Sequence, residues 1–158
     1  MKPSISIQQP SISPADWQID QLPGLSAEAA SQLQKYGITT TLELLQQASS
    51  LAQREALAVQ LAVSVQTVHK WVVMADLACL PSVGCKYCGF LLHIGICSTA
   101  QLARTPLYDL QKQVTRFQVQ ILYRADLCPT IELISSWIQQ AQQLIAAKNR
   151  RLRENLNH

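Results

Sequence analysis

Charge is scarce in this chain of 158 residues. Lys, Arg, Asp and Glu make up 15%, against about 25% in an ordinary soluble domain, and twenty glutamines supply much of the missing polar surface. With only five glycines there is no Gly-rich phosphate loop of the Walker kind. Ten carboxylates are spread along the chain and pair with none of the scattered histidines, His69, His93 and His158, so acid–base catalysis has no visible machinery. No nucleophile turn with an ordered Ser–His–Asp set is present either. No apolar run approaches the ~20 residues of a membrane span. The amino terminus, one Lys followed by alternating Ser and Ile, lacks the apolar segment and cleavage site of a secretory signal. Five cysteines, an odd number, do not make a disulfide framework. The expectation is a cytoplasmic protein with reduced thiols, no cofactor, no bound metal and no enzymatic activity. A net charge of +3 is too small to argue for nucleic acid unaided.

What is present is helical periodicity. Residues 1–16, with three prolines among Ser and Gln, read as an extended arm, with a short strand at Ser4–Ile7. From Trp17 onward the apolar residues recur at three- and four-residue steps, as in Leu57, Leu61, Val65, Val68, Val72 and Ala75. Two further runs follow, over 107–122 and 131–156. Pro23, Pro81, Pro106 and Pro129 stand where helices should start or have just stopped, and Gly37 and Gly95 read as C-terminal caps. The fold class is all-α.

The chain also repeats itself. Leu22-Pro23-Gly24-Leu25-Ser26 aligns with Leu80-Pro81-Ser82-Val83-Gly84 at an offset of 58, and the match runs without a gap through Leu33/Leu91, Gly37/Gly95, Ile38/Ile96, Thr41/Thr99 and Leu44/Leu102. Further on the offset is 66, where Val65, Val68, Trp71, Val72 and Ala75 face Ile131, Ile134, Trp137, Ile138 and Ala141. An insertion around 122–130 accounts for the change. Each copy is too small to bury a robust core alone, so the two should pack on each other, with Trp71 and Trp137 in equivalent buried places.

The segments LPGLSAEAASQLQKYGITTTLELL and LPSVGCKYCGFLLHIGICSTAQLA resemble the helix-hairpin-helix motif. Two such copies, with Trp71–Leu77 leading into the second, resemble the bacterial, often cyanobacterial, domain-of-unknown-function family 4332 over about residues 17–147. That resemblance implies two tandem helix-hairpin-helix repeats packed together, and no known activity. The organisation expected is an arm over 1–16, repeats over 17–79 and 80–147, and a basic tail over 148–158.

A helix-hairpin-helix turn leaves amides and the positive end of a helix dipole free for a phosphate oxygen, a contact that positions without reading sequence. Both turns here depart from the Gly-apolar-Gly pattern. Gly24 is followed by Ser26 and then Glu28, whose carboxylate competes with a phosphate. The second turn has Ser82, then Gly84 and Lys86 with no nearby acid, and is the better phosphate site. The plainer reading of both turns is a tight helix connection. Lys148, Arg150, Arg151 and Arg153 add four cations in six residues, suited to a helix C-terminus or to an anionic partner, and Leu152 and Leu156 continue the apolar stripe past them. Arg54–Trp71 also has helix-turn-helix spacing, with Ser64 as cap, Ala62 at the turn and Gln66, Thr67, His69 and Lys70 facing outward; scaffold helices are the favoured reading.

Cys79, Cys85, Cys88, His93 and Cys97 fall within nineteen residues. Zinc would need four converging ligands, and a redox Cys85–Cys88 pair would use the helix dipole and Lys86 to lower the thiol pKa. Packing is the favoured reading, since Cys88 aligns with Ala30 and Cys97 with Thr39, both small. The leading functional expectation is a non-enzymatic module contacting nucleic-acid backbone through Gly24, Ser26, Ser82, Gly84, Lys86, Lys148, Arg150, Arg151 and Arg153. The alternative is a protein–protein adaptor or assembly factor, and third comes a redox or zinc protein. The confinement of basic charge to one end counts for the adaptor.

Overall fold

The computed structural model describes residues 12–121 and 129–158. The strand expected at Ser4–Ile7 and most of the insertion expected near 122–130 lie outside them. Among the described residues the elements are a 3-10 turn at Ile19–Gln21 and eight α-helices: α1 Ala27–Lys35, α2 Thr41–Gln47, α3 Leu51–Leu61, α4 Val65–Ala78, α5 Gly84–His93, α6 Thr99–Arg104, α7 Leu107–Ile121 and α8 Ile131–Leu156. Their one extended pairing is an isolated bridge between Gln18 and Thr40. The helical period does not begin at Trp17 as expected. That residue is extended, its amide donating to Thr41 Oγ1 at 3.1 Å, and the first α-helix starts at Ala27.

Local chemistry explains the boundaries. Ser26, Thr40, Ser50, Ser64, Ser98 and Thr130 each accept a backbone N–H from the first turn of the helix they precede, satisfying donors that a helix start leaves orphaned. Glu43 and Gln53 return the bond to their caps, closing capping boxes. At the other ends, Ile38 donates to Leu33 O and Ile96 to Leu91 O, around Gly37 and Gly95 at φ +81° and +94°. The same closure joins Val63 to Ala58 O around Ala62, which takes φ +53° without being glycine.

The helices recur in order. Thr41 and Thr99, which open α2 and α6, are 58 residues apart, and Val65 and Ile131, which open α4 and α8, are 66 apart. α2 and α3 pack on α4 as α6 and α7 pack on α8, while α4 against α5 joins the halves. Residues paired at offset 58 are buried together: Ile19 and Leu77, Leu22 and Leu80, Leu33 and Leu91, Ile38 and Ile96, Leu44 and Leu102. Trp71 and Trp137 are both buried. α4 is the central rod, covered from Trp71 to Ala75 and again beyond Leu77.

Among the described residues no single helix is long and apolar enough to cross a membrane. The consecutive pair α3–α4 is apolar enough only in combination, and it turns by 117°.

Candidate functional site

The second hairpin is where the sequence points first, and there the expected phosphate contacts face inward. The N–H and the hydroxyl of Ser82 both donate to Gln140 Oε1, at 3.0 and 2.7 Å, and its carbonyl accepts the Trp137 indole N–H at 3.1 Å. Gly84 is buried, at φ +54°, and its amide donates to Leu80 O. A Cβ there would lie 3.0 Å from the Trp17 ring. Trp17 is held over the glycine by its own indole N–H, which donates to Ala78 O at 2.8 Å. Trp17 and side chains of α8 thus occupy the cradle that Ser82 and Gly84 were expected to offer, and their amides are not open to a phosphate. Lys86 is exposed, its Nζ 5.0 Å from the centre of the neighbouring Tyr87 ring.

The first hairpin is more open. Gly24 is exposed at φ +76°, but Ser26 spends its hydroxyl oxygen on Ala29 N–H, 3.1 Å away, as the cap of α1, and Glu28 stands in the first turn. Behind this hairpin lies a groove of about 420 Å³ with Pro23, Met74 and Leu92 among its apolar walls and Lys70 and His93 as its basic members.

The 117° turn between α3 and α4 falls within the angle of a helix-turn-helix, and Ser64 caps α4 as expected. Of the outward set, Gln66, His69 and Lys70 are exposed. Thr67 is half-buried, its hydroxyl 2.8 Å from Ser64 Oγ. His69 Nδ1 is engaged by the Arg54 guanidinium at 2.9 Å.

Among the described residues no three His, Cys, Asp or Glu side chains converge as metal ligands. Cys79 and Cys88 are buried, and burial pushes both thiols up to about 12. For Cys79 the negative charge of Asp76 adds to the rise and Lys148 opposes it. Burial also raises Cys85, the reverse of what a nucleophilic thiol at a helix start requires. Cys88 packs as Ala30 does, but the packing expected for Cys97 is corrected. It is exposed, because its amide is tied to Gln101 Oε1 at 2.8 Å just ahead of the Ser98 cap, which leaves the side chain outside.

The end of α8 is the remaining candidate. Ile134, Ile138, Ala141 and Leu144 are buried and Ile145 is half-buried, and from Lys148 every residue is exposed. The helix nevertheless continues to Leu156, nine residues from Lys148 or about 13 Å at 1.5 Å per residue. This stretch holds Lys148, Arg150, Arg151 and Arg153 against Glu154, with Leu152 63% and Leu156 85% exposed.

The sequence left several positioning residues unmarked. Asp76 accepts the Thr99 amide at 2.8 Å at the start of α6, and Asp16 accepts the Leu42 amide at 3.1 Å at the start of α2. Trp17 and Gln140 close the second hairpin. The single signal for Trp17 was an aromatic directly after a Pro- and Ser-rich arm, and for Asp16 and Asp76 there was none, since an isolated acid marks nothing until its partner is placed.

A family model described as domain of unknown function (DUF4332) matches residues 23–144. Comparison with curated proteins and with solved structures found no match.

Proposed function

Since the chain belongs to the DUF4332 family, whose description names no activity, we propose that it is a non-enzymatic docking module, a twin helix-hairpin-helix scaffold that binds another protein through the end of α8. One observation carries this reading: the face that α8 buries in the core continues past the body as Leu152 and Leu156, both exposed and flanked by cations. An apolar stripe that runs on past the core offers a helix face that a partner can complete. The closed second hairpin supports the same choice, because it removes Ser82 and Gly84 from the phosphate reading.

Contact with nucleic-acid backbone is the second reading. It rests on the exposure of Lys148, Arg150, Arg151 and Arg153 on a projecting helix, with Gly24 and Lys86 as outlying contacts.

The test is an affinity pull-down from the native host, with and without nuclease, using the full chain and a variant lacking residues 148–158. The docking reading expects protein partners that survive nuclease and vanish with the deletion. Loss of all partners after nuclease would favour nucleic acid. Binding to duplex DNA would then weaken with salt, by about 0.9 in log–log slope for each phosphate neutralised, and the deletion would lower that slope by up to ~3–4 units.

A further inference from the structure

The docking reading leaves open what kind of protein surface the end of α8 takes, and the arrangement of its side chains answers that. Ile145, Asn149, Leu152 and Leu156 follow one another at steps of four, three and four, which places them on one stripe of a helix. It continues the stripe on which Ile134, Ile138 and Ala141 are buried. Ile138, Ile145 and Leu152 stand seven apart, as do Asn149 and Leu156, the spacing of d and a positions in a helix-pairing seam. Counting round the helix from the middle of the stripe, Lys148 and Arg153 lie about 70° to either side, in the flanking g and e positions. Arg150 and Arg151 lie farther round, and Glu154 sits almost opposite. Each border of the seam thus carries one cation beside a neutral residue, Ala146 or Asn155, and the one acid of the segment is turned away.

That charge pattern selects the occupant. A second copy of this chain fits poorly. Paired in parallel it sets Lys148 of one chain against Arg153 of the other, and paired antiparallel it sets each flank against its like; same-sign e and g contacts oppose association. A bilayer fits poorly as well, because an interfacial helix buries a broad apolar face and here two exposed leucines are all that is offered. Nucleic acid would use the cations and leave Leu152 and Leu156 in water. We propose, on the basis of the docking reading above, that the end of α8 pairs with an amphipathic helix of a partner protein that has leucine-like residues in its seam and Asp or Glu along both borders. Asn149, a polar residue in the a position, sets the register by meeting a polar residue opposite.

The experiment uses the full chain and two synthetic helical peptides of about four heptads, each with Leu at a and d and one Asn at an a position. One carries Glu at every e and g position and the other Lys. Fluorescence anisotropy at moderate salt should give at least tenfold tighter binding of the Glu peptide. Leu152→Asp and Leu156→Asp should each weaken it at least tenfold, and the double variant Lys148→Glu, Arg153→Glu should reverse the preference in favour of the Lys peptide. All four positions are exposed, so circular dichroism and an unchanged melting temperature verify that the variants fold. Equal affinity for the two peptides, or no reversal, would overturn the proposal. So would a concentration-dependent dimer of the free protein abolished by Leu152→Asp, which assigns the seam to a second copy. Binding to duplex DNA or anionic phosphatidylglycerol vesicles with no binding of the Glu peptide would overturn it too. Photo-crosslinking from position 152 in the host separates the two readings. A protein cross-linked through a segment without acidic borders refutes the acidic helix and leaves the docking reading intact, whereas the absence of any protein cross-link refutes both.

Discussion

Cys88 and Cys97 show how far identical side chains can diverge. Cys88 is buried, takes the place that Ala30 has in the first half, and has its thiol held near 12, whereas Cys97 is exposed beside a helix cap. Site-resolved alkylation at neutral pH should therefore modify Cys97 quickly and Cys85 slowly, and should reach Cys79 and Cys88 only after denaturation. Mass spectrometry of the digested protein reads this directly; rapid labelling of Cys85 would revive a redox role. The same burial makes stability depend on alkali. An unfolded thiol loses its proton near 9, while the folded Cys79 and Cys88 hold theirs to about 12. Their contribution is thus fully present below pH 9 and is lost as pH rises from there towards 12, by up to about 1.4 kcal/mol per pH unit for each thiol. Denaturant titrations over that range should show the decline, and Cys88→Ala should make it shallower.

α8 is a single helix with two kinds of surroundings. Its first half is a core element. Trp137 is 0% exposed, donates its indole N–H to Ser82 and lies 5.1 Å from the Tyr87 ring, centre to centre. Truncating it to Ala removes that packing and also the donor that satisfies the Ser82 carbonyl, so Trp137→Ala should cost ~3–5 kcal/mol. Chemical denaturation checks the figure, and a loss below about 1 kcal/mol would place the indole outside the core. The last nine residues, from Lys148, touch little of their own chain, and their helical form follows from continuity with the anchored part and from cations near a helix C-terminus. Between α3 and α4, Ala62 occupies the left-handed position that Gly37 and Gly95 hold elsewhere, at a strain of about 1 kcal/mol. The buried contacts of Leu57, Ala58, Leu61 and Val68 on either side of the turn hold it there.

The two halves share one core across α4 and α5, and parts of each complete the other. Trp17 lies on Gly84, Gly89 lies against Pro23, and Asp76 at the end of α4 caps α6. Divided between Cys79 and Leu80, the chain would expose the buried faces of both halves and leave each with about eighty residues and an incomplete core. Neither half should fold cooperatively on its own, as thermal melts followed by circular dichroism and dispersion of amide resonances would show. A sharp transition for either fragment would mean that the halves are independent domains.

Helix positions and caps were legible from residues alone because each rests on neighbours a few places apart. A cap oxygen reaches an amide three residues on, an apolar stripe repeats every three or four, and α8 accordingly runs from Ile131 to Leu156 as its period implies. The continuation of the α8 stripe to Leu152 and Leu156, past the cations of 148–153, was legible in the same way. The state of the hairpins was not legible. Ser82 meets Gln140 across 58 residues and Trp17 meets Ala78 across 61, and nothing in a local pattern says which distant side chain will fill a turn. A glycine before a helix reads the same whether water, a phosphate or an indole ring lies over it. The placing of Trp17 on Gly84 closed that hairpin, because Trp17 is tied to Ala78 at the end of α4 and α4 packs against α5, which starts at Gly84.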